Sequence, residues 1–291
     1  IEFISKLQKE NNYNFSPVRK GMTQEGKTLK LGFSTYGLKL YYMLGEWNKL
    51  SEKSKLEWAK YINSFQKNEK HLPKNSYIDP VIFDHYNNFD LNQSSKDIVK
   101  KMINISSKFQ FDTNKDKFYK AINAETKQAI SSLHQVGFKN AREYKTEFSN
   151  SEQILDYLYS LDWKKPWTSG AQFASLCVYS SIDSYNNSDD LIKFINKIVD
   201  KETGSYFLGQ PSQSREVING AMKVLSGLDW INHEIHYPEK LIDYCLSNTP
   251  VMEGCDIVDF IYVLYRCTQQ TNYKKKEVLN KLNNSIPDIK E

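Results

Sequence analysis

The chain has 291 residues, 40% hydrophobic and 25% charged, with a mean hydropathy of −0.63. This is the composition of a globular protein and excludes disorder for most of its length, leaving room for two average domains or one large architecture of repeated units. The 39 basic and 35 acidic residues are spread along the chain, give a net charge of +4, and form no basic block beyond Lys274-Lys275-Lys276, which argues against nucleic acid as the main partner. No stretch approaches the ~18 apolar residues of a membrane span, and Ile1-Glu2-Phe3-Ile4-Ser5-Lys6 lacks a signal-peptide pattern, so a cytoplasmic location is expected. Ile1 itself suggests a processed or trimmed start.

Residues 1–30 carry no clear periodicity and are read as an N-terminal extension, followed by a single helical domain over 31–291. Two kinds of helix then alternate. Inner-type helices are small and apolar on most sides, as in Ser169-Gly170-Ala171-Gln172-Phe173-Ala174 and Arg215-Glu216-Val217-Ile218-Asn219-Gly220-Ala221; outer-type helices are amphipathic with a charged face. Inner starts are placed at Ser34, Glu125, Ser169, Arg215 and Cys255, at intervals of 91, 44, 46 and 40 residues. The first interval is about two periods of roughly 45 residues, enough for a helix pair and its loops. Outer helices are expected from Ser51 to Phe65, Ser151 to Leu161, Asp190 to Val199, Pro238 to Leu246 and Lys274 to Leu282, with Ser51 as an N-cap and Asp189-Asp190 supplying negative charge to a helix start. Between 67 and 120 the pattern is less regular, and the Pro-bounded loop from His71 to Pro80 is read as a connection between an outer helix and the next turn of the array. Cys177, Cys245, Cys255 and Cys267 have no CxxC spacing and read as buried thiols of a reducing compartment.

The segment Ile198-Val199-Asp200-Lys201-Glu202-Thr203-Gly204-Ser205-Tyr206-Phe207, followed by a small-residue helix and Gly227-Leu228-Asp229-Trp230, resembles the repeat of the terpenoid cyclase and protein prenyltransferase α/α toroid superfamily. A fainter echo runs from Phe65-Gln66 to Ser76-Tyr77-Ile78-Asp79. The resemblance covers the chain from about residue 31 onward and implies an all-α toroid of inner and outer helices; an open HEAT-like α-solenoid has the same period. It does not extend to catalytic motifs. The acidic Asp-x-Asp-Asp motif of the alkene-protonating cyclases is absent, and Cys255-Asp256 lacks the following histidine of the prenyltransferase zinc set.

In such an array the inner helices point the same way, and their N-terminal residues converge on one mouth. That layer contains Ser34 and Tyr36, Glu125 and Gln128, Trp167 and Gln172, Arg215 and Asn219, then Asp256 and Asp259. Asp256 and Asp259, three apart, share one helix face at about 5–6 Å between β-carbons, so one carboxyl can stay protonated as an acid while the other is ionised. The catalytic candidates are therefore Asp256 or Asp259 as acid and Glu125 as base; Trp167, Gln172, Arg215, Asn219, Gln128 and Tyr36 are candidate substrate contacts. The competing reading makes the carboxylates helix caps and pairs Arg215 with Glu216 or Asp256. His233 and His236 have a metal-like spacing around Glu234 but fall in a loop before an outer helix; His134 is read as a core histidine, and His71 and His85 as loop residues. Trp47, Trp58, Trp163 and Trp230 are read as packing, whereas Trp167, in Lys164-Lys165-Pro166-Trp167-Thr168, opens an inner helix and presents a flat face to a sugar or isoprenoid.

A mouth of carboxylates, amides and indole suits hydroxyl-rich substrates, and many α/α toroids are glycoside hydrolases, lyases or epimerases, so a carbohydrate-related enzyme is the leading expectation. A non-catalytic toroid binding a glycan, lipid or protein, and a terpenoid-type enzyme, are the alternatives. No metal or other cofactor is expected, and the partner is a small molecule or glycan.

Overall fold

The computed structural model describes residues 2–9, 13–87, 91–106, 111–182, 188–211, 213–248, 250 and 254–290, and its regular structure is almost wholly helical, as the sequence implies. Contacts divide the chain into two units, Ile1–Glu147 and Phe148–Glu291. The sequence reading instead draws its boundary between residues 30 and 31.

The first unit holds α1 (Glu2–Ser5), α2 (Gln24–Thr28), α3 (Leu31–Met43), a 3-10 turn at Trp47–Lys49, α4 (Glu52–Asn63), β1 (Gln66–Lys67), β2 (Ser76–Tyr77), α5 (Pro80–Asn87), α6 (Leu91–Ser106) and α7 (Asn114–Gln135). Helices α3 and α7 pack together as the inner pair, with α4 against α3 and α5 against α7. Ser51 caps α4 by accepting from the Ser54 amide at 3.1 Å. At the centre Trp58 is 2% exposed, with ring centroids of Tyr13, Phe15, Tyr41 and Trp47 at 5.3, 5.5, 5.2 and 5.9 Å. Phe15 closes this cluster because Gly37 leaves room for it: a β-carbon there would lie 2.6 Å from the Phe15 ring. The segment taken as an extension thus supplies core side chains to the first unit.

Three expectations in this region need correction. The inner helix placed at Glu125 begins at Asn114, where Thr113 and Asp116 form a reciprocal capping box, so Glu125 lies in mid-helix. The polar first turns of α7 hid this start from a search for apolar runs. The irregular region contains two helices, α5 and α6, and His85 belongs to α5 instead of a loop. His134 is exposed at the end of α7, not in the core, because the helix ends there and turns through Gly137.

The second unit is a regular alternation of α8 (Ser151–Ser160), α9 (Pro166–Ile182), α10 (Ser188–Ile198), α11 (Ser214–Trp230), α12 (Pro238–Ser247), α13 (Gly254–Gln270) and α14 (Lys275–Lys290). Inner helices α9, α11 and α13 lie side by side; α10 packs on α8 and α9, α12 on α13, and α14 on α12 and α13. The predicted outer helices agree within a residue or two, except that α14 runs on to Lys290. Glycines set the spacing of α9 and α11: a β-carbon on Gly220 would lie 2.4 Å from Pro166 Cβ, and one on Gly227 would lie 2.9 Å from Ala174 Cα.

The loop after α10 is built by its own sequence. Asp200 accepts from the Thr203 amide and hydroxyl at 2.8 and 2.7 Å, Gly204 takes φ +74°, and Tyr206 pairs back with Val199. The Ser205 hydroxyl donates to the Val217 carbonyl of α11 at 2.8 Å, and the fully buried Tyr206 meets His236 Nδ1 at 3.1 Å. The echo in the first unit has the same local form: Asn75 at φ +61°, then buried Ser76 and Tyr77, with Tyr77 of β2 paired to Gln66 of β1, just after α4.

Candidate functional site

A cleft of about 630 Å³ opens in the second unit where the first residues of three helices meet: Trp167 of α9, Ser214 and Arg215 of α11, and Gly254, Cys255 and Asp256 of α13. The three inner helices therefore run parallel, and the positive ends of their dipoles face the same space. Cys255 is exposed here, a correction to its reading as a buried thiol, because it sits in the first turn of α13; Cys177, Cys245 and Cys267 are buried.

Asp256, 8% exposed, accepts from Asn219 Nδ2 at 2.7 Å and lies 3.5 Å from Arg215 Nε. The Arg215 side chain remains about half exposed (52%), leaving donors for a ligand. One turn further along α13, Asp259 is 3% exposed and one of its carboxyl oxygens has no hydrogen-bond partner among the described residues. Burial pushes its carboxyl up to about 6, nearby Lys223 pulls it down and Asp256 adds repulsion. Lys223 also stands 5.7 Å from the centre of the Trp167 ring, whose buried Nε1, like Asn219 Oδ1, has no hydrogen-bond partner among the described residues. Glu216 Oε2 accepts from the Trp167 amide at 3.3 Å, fixing the entry of α9 beside the cleft.

Trp167, Arg215, Asn219, Asp256 and Asp259 thus come together as the helix-start argument expects, although Asn219 and Asp259 lie behind the lining. Gln172 is turned toward α8, where its Oε1 accepts from the Tyr157 hydroxyl at 3.1 Å. Lys223 escaped sequence reading; its signal is the four-residue step from Asn219 along the same face of α11.

Glu125, Gln128 and Tyr36 belong to the first unit. Tyr36 is 57% exposed on α3, and the Gln128 carbonyl accepts from the hydroxyls of Ser131 and Ser132. Ser34 is fully buried and accepts from Trp58 Nε1 at 3.0 Å. Glu125 Oε2 accepts from the Asp79 amide at 3.1 Å, while Asp79, itself fully buried, accepts from the amides of Lys30, Leu31 and Val81 at 2.7, 2.8 and 3.1 Å. Desolvation pushes the Glu125 carboxyl up to about 8; the Asp79 amide opposes this and the Asp79 charge adds to it. The base expected there calls for an ionised carboxylate, whereas burial holds the protonated form at neutral pH.

This shift has a stability consequence. A carboxyl raised on folding favours the folded state below its ordinary value of 4.5, and the advantage is lost as pH rises through about 8. Glu125→Gln, neutral and isosteric, is therefore expected to equal the wild type below the ordinary value of 4.5, at about pH 3.5, and exceed it at about pH 9. Melting curves at the two pH values check this; a constant difference between the proteins contradicts it.

His233 and His236 lie in the loop before α12 with rings stacked 5.2 Å apart, and His236 bridges Tyr206 and Asn196. Among the described residues no group of three or more His, Cys, Asp or Glu is placed to hold a metal ion, and no helix is long and apolar enough to cross a membrane. Comparison of the chain with protein-family models, curated proteins and solved structures finds no match.

Proposed function

We propose that the chain is a carbohydrate-related protein of α/α-toroid type, and that the cleft at the starts of α9, α11 and α13 binds a glycan and acts on it by general acid–base chemistry. The observation that carries this reading is the pair of carboxyls on α13 in unlike settings: Asp256 at the cleft surface with Arg215, and Asp259 one turn behind it with one oxygen that has no partner among the described residues. In this reading the Trp167 face stacks on a sugar ring, and Arg215 and Asp256 exchange hydrogen bonds with hydroxyls. Asp256 is the group in reach of the ligand. Asp259 lies one turn behind Asp256 on the same face of α13 and adds a second carboxyl beside the cleft. The regular alternation in the second unit supports a toroid and equally an open α-solenoid with the same cleft. Four free cysteines support the cytoplasmic setting that belongs to this proposal.

The test combines a glycan-binding and turnover screen, with prenyl diphosphates as the competing ligand class, and the variants Asp256→Asn and Asp259→Asn. Loss of hydrogen bonding to a charged carboxylate is expected to weaken glycan binding by Asp256→Asn roughly 10- to 100-fold. Its stability should change by less than about 1 kcal/mol, because Arg215 is half exposed. Unchanged binding with lower melting temperatures in both variants would mean the cluster is scaffolding.

A further inference from the structure

The wall of the second-unit cleft is rich in hydrogen-bond donors at the start of α11 and in acceptors where α11 meets α13. Gln213 leads into α11 with an extended backbone (φ −149°, ψ 149°), and its side chain makes no capping hydrogen bond. Ser214 and Arg215, the first two residues of the helix, both line the cleft, and among the described residues their amides have no acceptor. The Arg215 side chain comes nearest to a carboxylate at Nε, 3.5 Å from Asp256, and makes no hydrogen bond among the described residues, so its guanidinium keeps its donors for a ligand. Trp167, on α9, adds a buried indole N–H to the same wall, likewise without a partner among the described residues.

The acceptors are Asp256 and Asn219. Asn219 is 2% exposed, stands one turn below Arg215 on the same face of α11, and donates through Nδ2 to Asp256 at 2.7 Å. Its Oδ1 has no partner among the described residues, and a buried polar atom beside a cleft costs free energy until an occupant satisfies it. The remaining charges at this mouth do not cancel the donor side: Glu216 Oε2 accepts from the Trp167 amide at 3.3 Å, Asp259 is 3% exposed behind the lining, and Lys223 adds positive charge beside Trp167.

On the reading of this cleft as a glycan site, we infer that its ligand is an acidic sugar, one whose glycosyl unit carries a carboxylate or a phosphoryl group. The oxyanion sits at the start of α11, where the Ser214 and Arg215 amides, the guanidinium and the positive end of the helix dipole converge. The sugar hydroxyls donate to Asp256 and Asn219, and the Trp167 ring covers the sugar face.

The experiment measures equilibrium binding at pH 7 and matched ionic strength of three probes: a hexuronic-acid oligomer, the same oligomer with its carboxyls reduced to alcohols, and a hexose phosphate. The acidic oligomer is expected to bind at least about 10-fold more tightly than its reduced counterpart. Arg215→Gln should weaken the acidic oligomer roughly 10- to 100-fold and the reduced one by less than about 3-fold. Ser214→Pro deletes one amide donor at a helix position that suits proline, since Gln213 before it is already extended. It should keep the wild-type melting temperature and weaken the acidic oligomer roughly 3- to 30-fold, a loss that a purely structural helix start would not produce. Tighter binding of the oligomer than of the hexose phosphate identifies carboxylate as the preferred oxyanion, and the reverse order identifies phosphoryl; both support the site. Equal binding of the acidic and reduced oligomers, or an acidic preference undiminished in both variants, overturns the inference and leaves the glycan reading standing. Binding of none of the three probes overturns both.

Discussion

Trp58→Ala is expected to destabilise the protein by about 3–5 kcal/mol, the range for deleting a large aromatic side chain from a packed core. The indole is 2% exposed and has four aromatic rings within 6 Å, contributed by the N-terminal segment, α3 and the 3-10 turn. No single neighbour can move in to fill the space it leaves. The substitution also strips the buried Ser34 hydroxyl of the Nε1 donor at 3.0 Å. Trp58→Phe separates the two contributions: it keeps most of the packing and should cost about 1–3 kcal/mol, for the smaller ring and the unsatisfied hydroxyl. Denaturant midpoints for the two variants measure the difference. An alanine variant within about 1 kcal/mol of wild type would show that the cluster is not a core.

Gly204→Val is expected to be similarly severe in the second unit. The residue sits at φ +74°, where a β-branched side chain is disfavoured by about 1–2 kcal/mol or more. Any β-carbon there would also lie 2.6 Å from the Tyr237 carbonyl oxygen and 2.8 Å from the Leu241 amide, backbone atoms at the start of α12 that cannot swing aside. Overpacking of this kind adds roughly 1–3 kcal/mol. Gly204→Asn tolerates the dihedral better yet meets the same atoms, so it should recover only part of the loss. A melting temperature for Gly204→Asn equal to wild type would show that the close approach to α12 carries no strain.

The second unit was the more legible half, for a physical reason. Its inner helix α9 is apolar nearly all round, its outer helices have one charged face, and caps or Pro mark several starts, so period and boundary signals coincide at α8, α10 and α12. In the first unit the signals conflict. The early turns of α7 read Asn-Lys-Asp-Lys, and only the Thr113–Asp116 capping box announces the helix. The N-terminal segment looks like an extension because Tyr13 and Phe15 stand among polar residues with no helical period; the partners of Phe15, Gly37, Tyr41 and Trp58, are distant along the chain. Among site residues, Trp167, Arg215 and Asp256 follow from one rule, that parallel helices present their first turns together. The direction of Gln172 does not follow from that rule, since a small rotation of α9 decides whether it faces the cleft or Tyr157.

The close contact of α9 with α11 bears on how fast the cleft can exchange its contents. Two of its walls, Trp167 and Arg215, stand on helices locked at Gly220 against Pro166 and at Gly227 against Ala174. Neither helix can slide or roll toward the other without a backbone collision. The mouth on this side is already in place before anything enters it, so little ordering of the scaffold accompanies capture. Encounter is then governed by diffusion and charge, and ligands of different affinity should differ chiefly in residence time.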